Sequence, residues 1–424
     1  MEVSFFMQTF RLSENCSLHI HPTEKFKDVT MNLDFFLPLE STMRPAHFLL
    51  SFLLAEVCDT SRTKLETQKR LDDLYGASLS VTSDPRGNLD LLEFSCSTAD
   101  SHYVSDSLLY RQMEVLRDYA CCPYLENGLF ESHLFEECVQ KAITAVRMTL
   151  DDPSAAAVEE ASLRYGGAMK KRCLPSESEL CCVTNEACTA AWKELIDQAE
   201  IHLFVLGNVD ADECLEAARS LFSFSDRNTM VSLQADPETR PYSETILKKP
   251  ISQSVLVQLY EDGLRYQDPL MPAFMLGNGI LGALPTSLLF QEVREARSLC
   301  YSIGSENLIY DGMLRITAGM NRRDLPEAGT LIAQQISRMQ KGEFSDDQLE
   351  TARSMYINSW RGSMDHGPSL IWDDCRSVLL HTEDSIPRMI HRFETVTRED
   401  IMNAYAGLKL AEVLILEEDA DDPS

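Results

Sequence analysis

Leu289-Phe290-Gln291-Glu292-Val293-Arg294-Glu295-Ala296-Arg297-Ser298-Leu299-Cys300-Tyr301-Ser302-Ile303-Gly304 is the stretch on which the fold turns. Ser287 to Arg294 has helical spacing and Cys300 to Gly304 reads as a strand, so a helix hands over to a strand within a few residues. The same handover occurs in the first half, where Leu74-Tyr75-Gly76-Ala77-Ser78-Leu79-Ser80 occupies the place of Ser298 to Gly304. Working outward, the flanking elements also correspond. Val29 to Leu37 alternates as a strand, Arg44 to Val57 and Leu65 to Leu74 are helical, and Ala77 to Val81 and Leu89 to Cys96 are strands. The second half repeats that order with a strand at Gln253 to Tyr260, helices at Pro269 to Leu281 and Ser287 to Arg294, and strands at Cys300 to Gly304 and Met313 to Ala318.

Helices then dominate each half: Tyr103 to Tyr119 and Leu134 to Leu150 in the first, Leu325 to Gln340 and Asp346 to Arg361 in the second. Ile201 to Leu206 and Glu412 to Leu416 close the halves as strands. Strands and helices segregated in two related units predict an α+β chain of two homologous domains, each a mainly antiparallel sheet with helices packed on one face. Polar, turn-rich sequence between Phe222 and Glu244 sets the boundary. The expected division is a domain over 1–222, a linker over 223–244 and a second domain over 245–424.

The chain has 424 residues, 44% of them hydrophobic and 25% charged, ordinary values for a large globular core. A net charge of −29 argues against nucleic-acid or anionic-membrane binding, both of which need Lys and Arg to neutralise phosphate. Met1 to Phe6 lacks the basic start of a secretory signal, and the apolar run His47 to Val57 is too short to span a bilayer. The expected location is the cytoplasm. Thirteen cysteines without a CxxC pair do not read as a disulfide framework, and Cys173, Cys181, Cys182 and Cys188 fit zinc spacing poorly.

Leu289 to Ser302 resembles the C-terminal-domain signature of the pitrilysin/insulinase peptidase family, and the resemblance extends along nearly the whole chain. In that family an Arg on the helix and a Tyr at the start of the next strand contact the backbone of bound peptide. Arg294 and Tyr301, seven positions apart, match that pair. Guanidinium and phenol donors bind peptide carbonyls whatever the side chain, which suits a protein that reads extended backbone. The family's inverzincin helix reads His-x-x-Glu-His, two zinc ligands with a general base between them. In the matching stretch, Pro45-Ala46-His47-Phe48-Leu49-Leu50-Ser51, only His47 survives; Leu50 replaces the base and Ser51 the second ligand.

A downstream helix, Glu136 to Leu150 leading into Asp151-Asp152-Pro153, resembles the one that carries the third ligand. Counting back from that exit places Thr144 and Ala145 at the glutamate positions, while a slip of one turn would bring Glu136 or Glu137 closer. These losses imply no catalytic residue and no metal in this chain. The strings His21-Pro22-Thr23-Glu24-Lys25-Phe26-Lys27 and Leu74 to Ser80 further resemble the bacterial YfmF-type branch. Its members lack the zinc motif, are paired with a motif-bearing homologue and are named for elongation factor P 5-aminopentanol modification. The resemblance thus implies a substrate-binding pseudopeptidase subunit whose partners are a zinc-bearing paralogue and a peptide or protein substrate. Two other readings stay open: a non-proteolytic binding scaffold, and an autonomous zinc peptidase with substituted ligands.

Remaining motifs carry less. Gly277-Asn278-Gly279-Ile280-Leu281-Gly282 has the GxGxxG spacing of a dinucleotide site but follows a helix, not a strand, and fits close helix packing better. His19 and His21 share a strand face and read as partly exposed, without a third ligand at suitable spacing. Glu417 to Asp422 reads as a solvated, frayed tail.

Overall fold

The computed structural model describes residues 7–418 except 41, 105–106, 225–230, 237–239 and 383–384. Strands β1 (Gln8–Arg11), β2 (Cys16–Pro22), β3 (Asp28–Pro38), β4 (Ser78–Ser83) and β5 (Leu89–Ala99) open the chain, and β3 at the centre is buried on both faces. A short ribbon, β6 (Leu125–Glu126) with β7 (Leu129–Phe130), precedes a long helix at Ser132–Leu150. Adding β8 (Glu200–Gly207) completes a six-stranded sheet in the order β1-β2-β8-β3-β5-β4. All its pairings are antiparallel except β2 with β8.

The second sheet holds β9 (Ser243–Lys249), β10 (Ser254–Glu261), β11 (Cys300–Leu308), β12 (Met313–Met320) and β13 (Lys409–Glu418), in the order β11-β12-β10-β13-β9. Only β9 with β13 is parallel. The two sheets are the same design, strand for strand, except that β1 has no counterpart in the second.

Two compact units result, and neither is one stretch of chain. The first contains 1–146, 174–233 and 366–381; the second contains 147–173, 234–365 and 382–424. Contiguous halves at 1–222 and 245–424 therefore differ from the units by two segments. The helix Pro153–Tyr165 packs Ala156, Ala157 and Ala161 onto Val255, Val257 and Leu259 of the second sheet. The helix Gly367–Leu379 lies on the first sheet, Gly367 against Leu206 and Thr30. There Trp372 stacks 3.7 Å from the Arg86 guanidinium, and His21 Nδ1 is 2.8 Å from Asp374 Oδ2. Of the proposed linker, 225–230 and 237–239 lie outside the described residues, and its last residues open β9.

In the first unit the opposite sheet face, carrying Met31, Leu33 and Phe35, packs on the helices Arg44–Leu53 and Leu109–Cys121 to form the main core. Local endings differ from the sequence expectation where polar groups intervene. The helix expected from Tyr103 begins at Leu109, because Asp100 caps a 3₁₀ turn at Ser101–Tyr103. The helix expected over Pro269 to Leu281 is α-helical over Met271–Asn278 and widens to a π-helical turn at Gly279–Ala283. Gly277, Gly279 and Gly282 there abut Tyr405, Tyr356 and Ser305 too closely for a Cβ.

His19 and His21 are buried rather than partly exposed. His19 lies 2.8 Å from His202 and 3.0 Å from Thr9, and burial together with His202 lowers its pKa to about 3. Glu417 is also ordered and buried within β13, where it pairs with Arg322; the tail from 419 onward, like Met1 to Phe6, lies outside the described residues.

Candidate functional site

Pro45 occupies the first turn of the helix Arg44–Leu53, where its missing N–H costs nothing. The helix delivers His47 to the interior, but to a carboxylate. His47 Nδ1 donates to Asp90 Oδ2 at 2.7 Å, and Arg44 Nη1 reaches Asp90 Oδ1 at 3.1 Å and Ser83 Oγ at 2.7 Å. All three charged or titratable side chains are at least 95% buried. Asp90 on β5, beside the edge strand β4, thus ties the helix to the first sheet through a buried Arg–Asp–His set.

Leu50 is fully buried in the hydrophobic core, and Ser51 Oγ donates back to the Phe48 carbonyl at 2.7 Å. Thr144 is exposed and donates to the Gln140 carbonyl, the usual resting bond of a helical threonine. Ala145 offers no ligand. The alternative glutamates serve elsewhere: Glu136 is exposed, and Glu137 binds Lys64 Nζ at 2.5 Å and Lys141 Nζ at 3.1 Å. Those two lysines hold the Glu137 carboxyl at about 2. Catalytic zinc needs three protein ligands and an open position. One histidine already committed to Asp90, with leucine and serine beside it, does not fit that ion. Among the described residues no group of three or more His, Cys, Asp or Glu is placed to hold a metal. Cys188 is buried while Cys181 and Cys182 are exposed, so these thiols do not converge.

Arg294 and Tyr301 sit differently. Arg294 belongs to a π-helical turn, Phe290–Glu295, a geometry that recurs at functional sites. Its guanidinium lies 4.7 Å from the Phe290 ring centre and 3.9 Å from Glu295, with 42% of the side chain exposed. Ser298 then adopts a left-handed φ of 54°, which turns the chain into β11. A register shift between Cys300 and Ser302 takes Tyr301 out of the ladder and aims it outward, as a bulge does. Tyr301 is 58% exposed and donates only to Asn321 Oδ1, at 2.9 Å. The positive charge of Arg294 is felt at Cys300: burial raises that thiol to about 11 while Arg294 pulls it down. The structure therefore places both residues at the start of β11, with the Arg294 guanidinium open to solvent and the Tyr301 hydroxyl held by Asn321.

Sequence reasoning missed a further feature of the strand that Tyr301 begins. A groove of about 380 Å³ runs along β11 and β12, lined by Ser302, Gly304, Glu306, Arg315 and Thr317 among others. Its sequence signal is slight: small residues at alternate positions of an otherwise unremarkable strand pair.

Residues 183–356 match the family model described as "Peptidase M16 inactive domain". The chain is 25% identical over 402 residues to a Bacillus subtilis protein named "Probable inactive metalloprotease YmfF", covering 92% of this chain and 93% of that one. A second protein of that organism, "Uncharacterized zinc protease YmxG", is 22% identical over 200 residues, 46% of this chain and 48% of the relative. Among solved structures, a "peptidase M16 inactive domain" from Pseudomonas fluorescens superposes with a TM-score of 0.80 at 15% identity, covering 98% of this chain and all of that one. With the zinc ligands replaced and Asp90 holding the remaining histidine, the chain resembles the inactive members of the M16 (pitrilysin/insulinase) peptidases in sequence and fold.

Proposed function

We propose that this chain is the substrate-binding subunit of a heterodimer whose other member, a zinc-bearing M16 homologue, performs the hydrolysis. The observation that supports it most is the contrast between the two inherited sites. The hydrolytic one has been converted into a buried ion-pair set, whereas Arg294 and Tyr301 remain exposed, Arg294 with guanidinium N–H groups to spare and Tyr301 with a hydroxyl that can exchange Asn321 for a peptide carbonyl. A bound peptide running along the groove would receive hydrogen bonds from both at its carbonyls. Zinc belongs to the partner in this reading. Free thiols at all thirteen cysteines accord with a reducing compartment such as the cytoplasm, and among the described residues no helix is long and apolar enough to cross a membrane.

The experiment is co-expression with the zinc-bearing homologue, followed by peptide cleavage. Arg294→Ala should weaken cleavage about ten- to a hundredfold, the worth of charge-assisted hydrogen bonds, with unchanged melting and heterodimer formation. Tyr301→Phe keeps the ring, removes only the hydroxyl and should act in the same direction. Normal processing by both variants would make the pair structural, and two separate monomers on mixing would remove the heterodimer. The branch's association with elongation factor P extends the proposal: deleting this chain should leave that factor incompletely modified, read by intact mass.

A further inference from the structure

Strand β9 ends the second sheet, and among the described residues no strand pairs with its outer side. Its counterpart in the first sheet, β2, also runs parallel to its inner neighbour but is covered on the outside by β1. An edge strand left open presents a row of unpaired N–H and C=O groups, a template for another strand.

The residues on β9 are self-complementary. Glu244, Ile246 and Lys248 alternate onto one exposed face, with Ile246 53% accessible, while Thr245 and Leu247 are half-buried and Leu247 packs on the core beneath. If a second β9 is laid antiparallel about Ile246, Glu244 faces Lys248 of the second copy, Ile246 faces Ile246, and Lys248 faces Glu244. A shift by one residue would set the Ile246 face against the opposite face of the other strand. Larger shifts run into Pro241 or Pro250, which bracket the strand and cannot donate to a ladder. The charges cannot satisfy each other within one copy, since four residues of strand span about 13 Å. Glu244 instead accepts from Tyr242 at 2.7 Å, and among the described residues no ion pair engages Lys248.

We propose that β9 is a self-pairing edge, through which two copies of this chain associate by continuing the second sheet antiparallel across a two-fold axis. The contact is isologous, as closed dimers require. It stands independently of the substrate reading. One strand per copy buries less than a standard interface, so the association is weak and concentration-dependent.

Sedimentation of the full chain over a range of concentrations tests this. The wild type should shift from monomer to dimer. Glu244→Lys and Lys248→Glu should each turn both symmetry-related pairs repulsive and weaken association about tenfold or more. The double reversal should restore it, and an equimolar mixture of the two single variants should form a heterodimer, because each then supplies what the other lacks. Both positions are exposed, so circular dichroism should match the wild type. A wild type that stays monomeric at all concentrations would overturn the proposal and assign Lys248 and Lys249 the opposite role, guarding the edge against pairing. Dimers that ignore the single reversals would overturn it equally, by placing the contact elsewhere.

Discussion

Replacing Asp90 with alanine should unfold the first unit far more readily than an ordinary core substitution. Asp90 is the sole carboxylate between Arg44 and His47, at 3.1 and 2.7 Å, and all three side chains are at least 95% buried. Deleting it leaves a buried guanidinium bonded to Ser83 and an imidazole without its acceptor. Breaking a buried pair by removing one partner costs about 3–5 kcal/mol, because the surviving charge stays desolvated. With a denaturant dependence of about 1–3 kcal/mol per molar urea, the midpoint should fall by roughly 1–5 M. Trp192 and Trp372, both in the first unit, provide the fluorescence signal. The companion variant is Arg44→Met/His47→Leu/Asp90→Leu, which removes the whole set; buried ion pairs exchanged for apolar groups are often neutral or stabilising. It should recover most of the loss. A shift of less than about 1 kcal/mol for Asp90→Ala, or a triple variant as unstable as the single one, would refute the claim that this set is a structural tie.

Restoring Leu50→Glu and Ser51→His should not create a tight zinc site by metal analysis, and should lower the melting temperature, because the new carboxylate enters the fully buried Leu50 position. Stoichiometric zinc in that variant would show that the third ligand has been misplaced. Asp262, raised to about 7 chiefly by burial, keeps in the folded state a proton that the unfolded chain releases near pH 4. Its contribution to stability is therefore present below pH 4 and lost as pH rises to about 7, by no more than about 4 kcal/mol. Asp262→Asn should flatten the pH profile of urea unfolding across that window; an unchanged slope would remove the assignment. Gly277→Ala should destabilise by about 1–3 kcal/mol, since its Cβ would lie 2.5 Å from Tyr405. Gly329→Ala, in the helix Leu325–Lys341 with nothing within 4 Å, should stabilise by about 0.5–1 kcal/mol. Equal effects of the two would contradict the packing account of the Gly277 segment.

Much of this molecule could be read before any coordinate was known. Val29 to Leu37, Leu89 to Cys96 and the helices at Leu134, Leu325 and Asp346 appear where their periodicity places them, since an apolar face must recur with the period of its element. Leu50 and Ser51 signal the loss of zinc chemistry only against the zinc helix that this stretch resembles, and Arg294 and Tyr301 are singled out by the same resemblance. Less legible were elements whose exposure breaks the pattern. β9 alternates around an exposed Ile246 and begins in sequence that reads as linker, and β1 is only four residues long.

Residue order thus determined the two-fold repetition, the α+β class and the absence of a general base at position 50, because these depend on local periodicity and on side-chain chemistry. Tertiary structure alone decided that the helices Pro153–Tyr165 and Gly367–Leu379 join the sheets of the opposite halves. It alone decided that His47 answers to Asp90, 43 residues away, and that β9 is the last strand of its sheet among the described residues. An amphipathic helix shows that it has an apolar face but not which sheet will receive it. A histidine shows that it can bind a proton or a metal, but its partner is chosen by whichever group the folded chain buries beside it.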